Sequence, residues 1–241
     1  LKTLCLEDPE GILNQTQFTQ PALFAVNSLM YLEKKDETGT PDFVAGHSLG
    51  EYAALFAAGA FDFETGVRLV QKRGELMGKA KGGGMAAVIG LGPDKVREIL
   101  DASGIDTIDV ANFNSPKQVI LSGLTDDLEK AAAPFTDGGA RRFLLLKVSA
   151  AFHSRYMADA GEAFTEFLDS VSFNDLEFPV IANVTAKPYE NGKIKENLGQ
   201  QITSSVRWQE SVEYLLSQGE CEFVEIGPGS VLAKLVQQIR G

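Results

Sequence analysis

The sequence predicts an α/β protein built as two units, and three observations carry that expectation. A short apolar run over 42–47 leads into Gly46-His47-Ser48-Leu49-Gly50 and then an alanine-rich stretch, the order strand, tight turn, helix. Residues 84–148 read as βαββαβ, the split βαβ order of a ferredoxin-like unit. Helical stretches and short apolar strands on both sides of that insert read as one larger α/β core, in a chain of 241 residues of which 44% are hydrophobic.

The chain opens on Leu1, already in helix-like sequence, and reads as a fragment whose natural start lies upstream. Residues 42–47 read as a buried strand, 49–58 as a helix stopped at Gly59, and 64–79 as a second helix with Val67, Val70 and Leu76 on its apolar face. Lys81-Gly82-Gly83-Gly84 reads as a flexible joint between 1–83 and the insert 84–148. Inside the insert, strands are expected over 85–91, 107–113, 118–122 and 142–148, and helices over 93–102 and 126–136. Asn114-Ser115-Pro116-Lys117 is the expected turn. The core resumes at 149–241 with a helix over 155–171 and a strand over 180–184. Helices over 195–203 and 209–218 follow, then a strand over 222–226 and a Gly227-Pro228-Gly229 turn into a last helix.

A net charge of −11 argues against a nucleic-acid surface, because phosphate binding needs a dense basic face. Lys79, Lys81, Arg141, Arg142 and Lys147 are candidates for a local basic patch, with scattered solvated charge the preferred reading. Cys5 and Cys221 lack metal-type spacing and suggest neither a disulfide framework nor a metal site, which fits a reducing cytoplasm. The most apolar stretch, around 52–61, is too short to span a bilayer.

The pentapeptide at 46–50 has the G-x-S-x-G form of a nucleophile elbow, a turn that lifts a serine hydroxyl above a sheet. A hydroxyl is a weak nucleophile until a base takes its proton, and only His47 and His153 are available. His47 adjoins Ser48, and the turn should aim its ring away from the hydroxyl, leaving His153 as the candidate base. The Leu49 N–H would point at a developing oxyanion, at a helix N-terminus that favours negative charge. Arg73, in Gln71-Lys72-Arg73-Gly74, offers a planar fork for a carboxylate. Taken alone, the preferred reading is a solvated helix face shared with Lys72.

Gly46-His47-Ser48-Leu49-Gly50-Glu51, Gln71-Lys72-Arg73-Gly74, Asn112-Phe113-Asn114-Ser115-Pro116, Ala151-Phe152-His153-Ser154 and Glu225-Ile226-Gly227-Pro228-Gly229 occur in one order. With Thr19-Gln20-Pro21-Ala22, that set resembles the malonyl-CoA:acyl carrier protein transacylases over essentially the whole chain, and most of all trans-acting transferases of polyketide synthesis. The resemblance implies an α/β-hydrolase-like core with a ferredoxin-like insert. It implies malonyl-CoA as donor, the phosphopantetheine thiol of an acyl carrier protein as acceptor, and no bound cofactor or metal. By position it implies Ser48 as nucleophile, His153 as base, Arg73 as clamp on the malonyl carboxylate, and Gln201 as the residue whose carbonyl orients the histidine. Gln20, Asn112, Asn114 and Phe152 would line the substrate site, Asn112 and Asn114 reading equally as turn-forming residues.

Two departures from the family pattern stand out. The family begins with a strand and a Gly-Gln-Gly-Ser-Gln loop that supplies a second oxyanion donor, and no counterpart precedes Leu1. The chain as given is therefore expected to be poorly active, short of roughly 2.7–4 kcal/mol of transition-state stabilisation. Ala150 stands where malonyl-selective members often carry histidine, while Phe152 is kept and would crowd a methyl branch, so malonyl is expected over methylmalonyl. The alternatives are a serine esterase or thioesterase, disfavoured by how early His153 falls in the chain, and a catalytically dead docking module.

Overall fold

Two sheets organise the chain, whose computed structural model describes the backbone of residues 1–241 and every side chain except that of Thr38. Strands β1 (Val44–Ala45) and β6 (Val180–Ile181) pair in parallel, Val44 against Val180 and Ala45 against Ile181. Strands β2 (Gly83–Ile89), β3 (Ile108–Ser115), β4 (Gln118–Leu124) and β5 (Arg142–Leu145) form an antiparallel sheet in the order β3-β4-β2-β5. With α5 (Pro93–Ser103) and α6 (Thr125–Asp137) they give the expected βαββαβ succession. Val88, Val96, Val119, Leu121, Leu128 and Phe135 form the core of this unit.

The larger core gathers around the parallel pair. Helix α1 (Lys2–Glu7) precedes α2 (Thr16–Thr38), a 23-residue helix that runs unbroken through Pro21 and that sequence patterning did not delimit. Helices α3 (Gly50–Ala57) and α4 (Phe63–Lys79) follow the elbow, and the Asp62 carboxylate caps α4 by accepting from Thr65 N–H at 2.8 Å. Phe24 of α2, Tyr52 and Leu55 of α3, and Leu69 and Val70 of α4 are wholly buried together. Gly74 is what lets α2 lie close to α4, since a Cβ there would sit 3.0 Å from the Gln17 Cα. That close approach carries Gln20 to the neighbourhood of Arg73.

After the insert, a 3₁₀ turn (Arg155–Met157) runs into α7 (Ala158–Leu168), followed by α8 (Ile194–Gln201), α9 (Trp208–Ser217) and α10 (Val231–Arg240). Several expectations need correction. The strand at 42–47 is two residues long, and Val44 and Ala45 are half-buried, because among the described residues β1 is paired on one side only. The strand expected over 180–184 is likewise confined to Val180–Ile181. Gly83 and Gly84 are not a loose joint but ladder residues of β2, opposite Leu124 and Gly123. Asn114 and Ser115 belong to β3, so the turn is narrower than expected. Residues 222–226 form no ladder among the described residues, although Phe223 packs on the Trp208–Val212 cluster. Apolar alternation there reports burial of one side, which an unpaired extended segment achieves as well as a strand.

Candidate active site

The elbow is strained where it must be. Ser48 holds φ at +50°, a left-handed conformation that costs a non-glycine residue energy and persists only where neighbours hold it. The Asn183 side chain does much of that holding. Its Oδ1 accepts from Ser48 N–H at 2.7 Å and its Nδ2 donates to the Gly46 carbonyl at 2.6 Å, bracketing the turn. Gly46 is required because a Cβ there would lie 2.0 Å from the backbone of Gly50. Gly50 has no matching need, since a Cβ would meet nothing within 4 Å, so of the two elbow glycines only the first is set by close approach.

His153 arrives from the opposite side, after β5, and also has a positive φ of 55°. Its turn is tied to the antiparallel sheet, because Asp109 of β3 accepts from Arg155 N–H at 2.8 Å and from the Arg155 Nε at 3.0 Å. The result places His153 Nε2 2.7 Å from Ser48 Oγ. Nδ1 lies 2.9 Å from the backbone carbonyl of Gln201, an acceptor only, so Nδ1 carries the hydrogen and Nε2 presents a lone pair to the hydroxyl. Burial first, then the positive charge of Arg73, pulls the His153 pKa down to about 3, so the ring is neutral at physiological pH. Val206, just past Gln201, pairs with the edge of β3 through Val206 N to Ala111 O at 2.8 Å and Phe113 N to Val206 O at 2.9 Å, which anchors the segment carrying that carbonyl.

Arg73 is 1% exposed and lies over the Tyr52 ring. It donates to Gln20 Oε1 at 2.8 Å, to Gln201 Oε1 at 2.9 Å and to Ser48 Oγ at 3.2 Å. Its other two hydrogen-bond acceptors are neutral amide oxygens, so the guanidinium brings its positive charge to the serine without a direct ion pair among the described residues. The Leu49 N–H at the start of α3 is likewise uncommitted among the described residues. A hydroxyl, a neutral imidazole, a spare backbone donor and a guanidinium thus meet in one place. Such a group of atoms can take a proton from an attacking oxygen, stabilise a negative oxygen and hold an anion.

The other expected site residues fall into two sets. Gln20 is buried and joins the Arg73 cluster, anchored by donation to Thr16 Oγ1 at 2.9 Å. Phe152 is half-buried and touches both the large core and the inner face of the antiparallel sheet. Asn112 is buried at the β3 position that bridges to Val206. Asn114 is turned to the elbow's other side, its Oδ1 2.9 Å from His47 Nε2 and its Nδ2 donating to Gln118 Oε1 at 3.3 Å. His47 therefore points away from the Ser48 hydroxyl, as expected, and lies beside Trp208. Sequence reasoning missed Asn183, Glu51 and Tyr189. For Glu51 the signal was present, a lone carboxylate in the apolar helix that follows the elbow; Asn183 and Tyr189 carry no local signature.

Among the described residues no helix is long and apolar enough to cross a membrane. The acyl transferase domain family matches residues 1–240 of the chain. The chain is 53% identical, over 100% of its own length and 84% of the relative's, to the polyketide biosynthesis malonyl CoA-acyl carrier protein transacylase PksC of Bacillus subtilis (strain 168). It is 51% identical to the polyketide biosynthesis protein PksE of the same organism, covering 100% of this chain but only 32% of that longer protein. A crystal structure of malonyl CoA-acyl carrier protein transacylase from Burkholderia pseudomallei superposes with a TM-score of 0.94 at 48% identity, covering 99% of this chain and 84% of that one.

Proposed function

The chain belongs to the acyl transferase domain family, and from that premise we propose that it moves a malonyl group from malonyl-CoA to the phosphopantetheine thiol of an acyl carrier protein. The observation that carries the reading is the 2.7 Å contact between Ser48 Oγ and His153 Nε2, with Arg73 beside it. His153 accepts the Ser48 proton as Oγ attacks the thioester carbonyl. The tetrahedral oxyanion draws on the Leu49 N–H, and the thiol of CoA leaves carrying the proton from Nε2. Malonyl-Ser48 remains, its free carboxylate facing the Arg73 guanidinium. The carrier thiol then attacks the ester, giving its proton to His153, which returns it to Ser48 Oγ as the ester breaks.

The Gln201 carbonyl in place of a carboxylate suits this task. It fixes the tautomer without adding negative charge to the imidazole, so the base is milder than in a Ser-His-Asp set. Transfer between thioester and ester is nearly balanced and asks for less basicity than amide hydrolysis. Every step is acid–base and nucleophilic chemistry on a donor that is itself activated, and none calls for a bound cofactor. We assign the catalytic core to 1–83 with 149–241 and the smaller unit to 84–148, the acyl group lying between them against Phe152, Asn112 and Gln20. The polyketide roles named for PksC and PksE favour polyketide synthesis over fatty-acid synthesis, and the two free cysteines suit a cytoplasmic setting.

Intact-mass measurement after incubation with malonyl-CoA tests the reading. The wild-type chain should gain one malonyl group, and Ser48→Ala none. An adduct that water removes faster than a carrier protein accepts it would mark a hydrolase instead, and a wild-type chain that takes no label would end the proposal.

A further inference from the structure

Glu51 is a carboxylate with no part in the steps above, yet it sits 1% exposed in the first turn of α3, three residues after Ser48. Burying a carboxylate is costly unless donors surround it. Here they do: Asn183 N–H at 3.0 Å, the Tyr189 hydroxyl at 2.6 Å and the Gln201 Nε2. The same Gln201 amide donates from Nε2 to the Ser48 carbonyl at 2.9 Å and accepts at Oε1 from Arg73. An anion and a cation therefore face opposite ends of one amide group. Among the described residues Arg73 makes no direct ion pair.

We propose that Glu51 is a positioning residue that orients the Gln201 side-chain amide, and through it holds Arg73 ready for acyl donors that bear a free carboxylate. The inference rests on the acyl-transfer reading and deepens it. The two ends of a terminal amide are alike in shape, and only hydrogen bonds decide which end faces which partner. Above about pH 7, where Glu51 is ionised, its carboxylate and the Ser48 carbonyl accept only, so both draw the Nε2 end. That leaves Oε1 for Arg73, which donates only. Reversal of the amide would set Nε2 against the guanidinium, donor to donor, and push Arg73 off the serine. The interposed amide matters for a second reason. A carboxylate bound directly to Arg73 would occupy its fork and compete with the substrate's carboxylate, whereas Glu51 acts at one remove and leaves that charge available.

The test compares malonyl-CoA with acetyl-CoA as donors to carrier protein in the full chain. Glu51→Gln keeps the size and reach of the side chain but no longer dictates the amide's orientation. We expect KM for malonyl-CoA to rise roughly 10- to 100-fold, the scale of one hydrogen bond to a charged group. Acetyl transfer, which does not use the fork, should lose far less. Gln201→Met keeps the backbone carbonyl that holds His153 and removes the amide, so it should show the same split and decides the matter if Glu51→Gln does not fold. Equal losses for the two donors in either folded variant, or an unchanged malonyl KM, would overturn the assignment. Labelling of wild-type Ser48 by malonyl-CoA keeps the two ideas apart: labelled wild type with unsplit variants sinks only the role of Glu51.

Discussion

Arg73 shows how burial changes what an ordinary side chain can offer a ligand. Burial lowers its pKa from the usual arginine value, yet the guanidinium remains charged because the group is so strong a base. Gln20 and Gln201 satisfy part of its donor set with neutral oxygens and leave the charge unneutralised. A carboxylate on the acyl group is then the natural partner, bound by charge-assisted hydrogen bonds that an acetyl group cannot make. Arg73→Ala should accordingly lower kcat/KM for malonyl-CoA by at least about 100-fold, two charge-assisted bonds' worth, and for acetyl-CoA much less. Steady-state kinetics with both donors reads this directly, and matched losses would remove the clamp assignment. The histidine partner is governed by the same burial. A proton on His153 would place a second positive charge beside Arg73, and the site resists it.

At the scale of the element, the strand–turn–helix unit of β1 and α3 stands on one steric fact and one side chain. Gly46→Ala would drive a methyl group into the Gly50 backbone at 2.0 Å, and no rotamer change relieves a backbone clash. The expected outcome is a loss of about 1–3 kcal/mol or more in denaturant unfolding, together with loss of Ser48 labelling, because the displaced turn moves the hydroxyl. A variant with wild-type stability and labelling would show that the turn tolerates what the geometry forbids. Asn183 works on the same turn from the segment just after β6, so the elbow conformation depends on the chain that follows the parallel pair and not on the pentapeptide alone. The 3₁₀ turn after His153 is similarly held from outside, by Asp109 of β3.

Over the whole molecule, the protonation of the buried site is linked to folding. Burial pushes Glu51 up to about 7 against the opposing pull of Tyr189, Asn183, Gln201 and Arg73, so between about 4.5 and 7 the folded chain keeps a proton that the unfolded chain releases. That contribution favours folding at the acid end of the window and fades as pH rises through 7. His153 runs the other way. From 6.5 down to about 3 the unfolded chain binds a proton that the folded chain refuses, so its contribution is lost as pH falls, and buried His47 acts in the same direction. The two effects oppose each other between 4.5 and 6.5. Glu51→Gln removes the carboxyl half, and its Tm should fall more steeply than that of the wild type as pH is lowered across this window. Parallel Tm profiles would contradict the linkage.

The lone serine between two glycines, the scarcity of histidine and the βαββαβ rhythm were all written along the chain, because each depends on neighbours within a few residues. Periodicity located α3, α4, α5, α6 and three antiparallel strands to within about two residues, while the strand expected over 142–148 ends at Leu145; the ordered motifs contain Ser48, His153 and Arg73, and the family resemblance pointed to Gln201. What failed lay where a segment's state is set by a distant partner: Gly83 and Gly84 became ladder residues because β4 lies beside them, and residues 222–226 stayed unpaired although their pattern suits a strand. The site divides in the same way. Local sequence determined that a hydroxyl would sit on a tight turn, and the scarcity of histidine singled out the ring found 2.7 Å from it. Only the tertiary structure decided that Gln20 of α2, Glu51 of α3, Arg73 of α4, Asn183 and Tyr189 after β6 and Gln201 of α8 would share one buried network. The reason is physical: hydrogen bonds between residues up to 153 positions apart leave no periodic trace, since each polar group is tolerated only by partners that folding alone brings near.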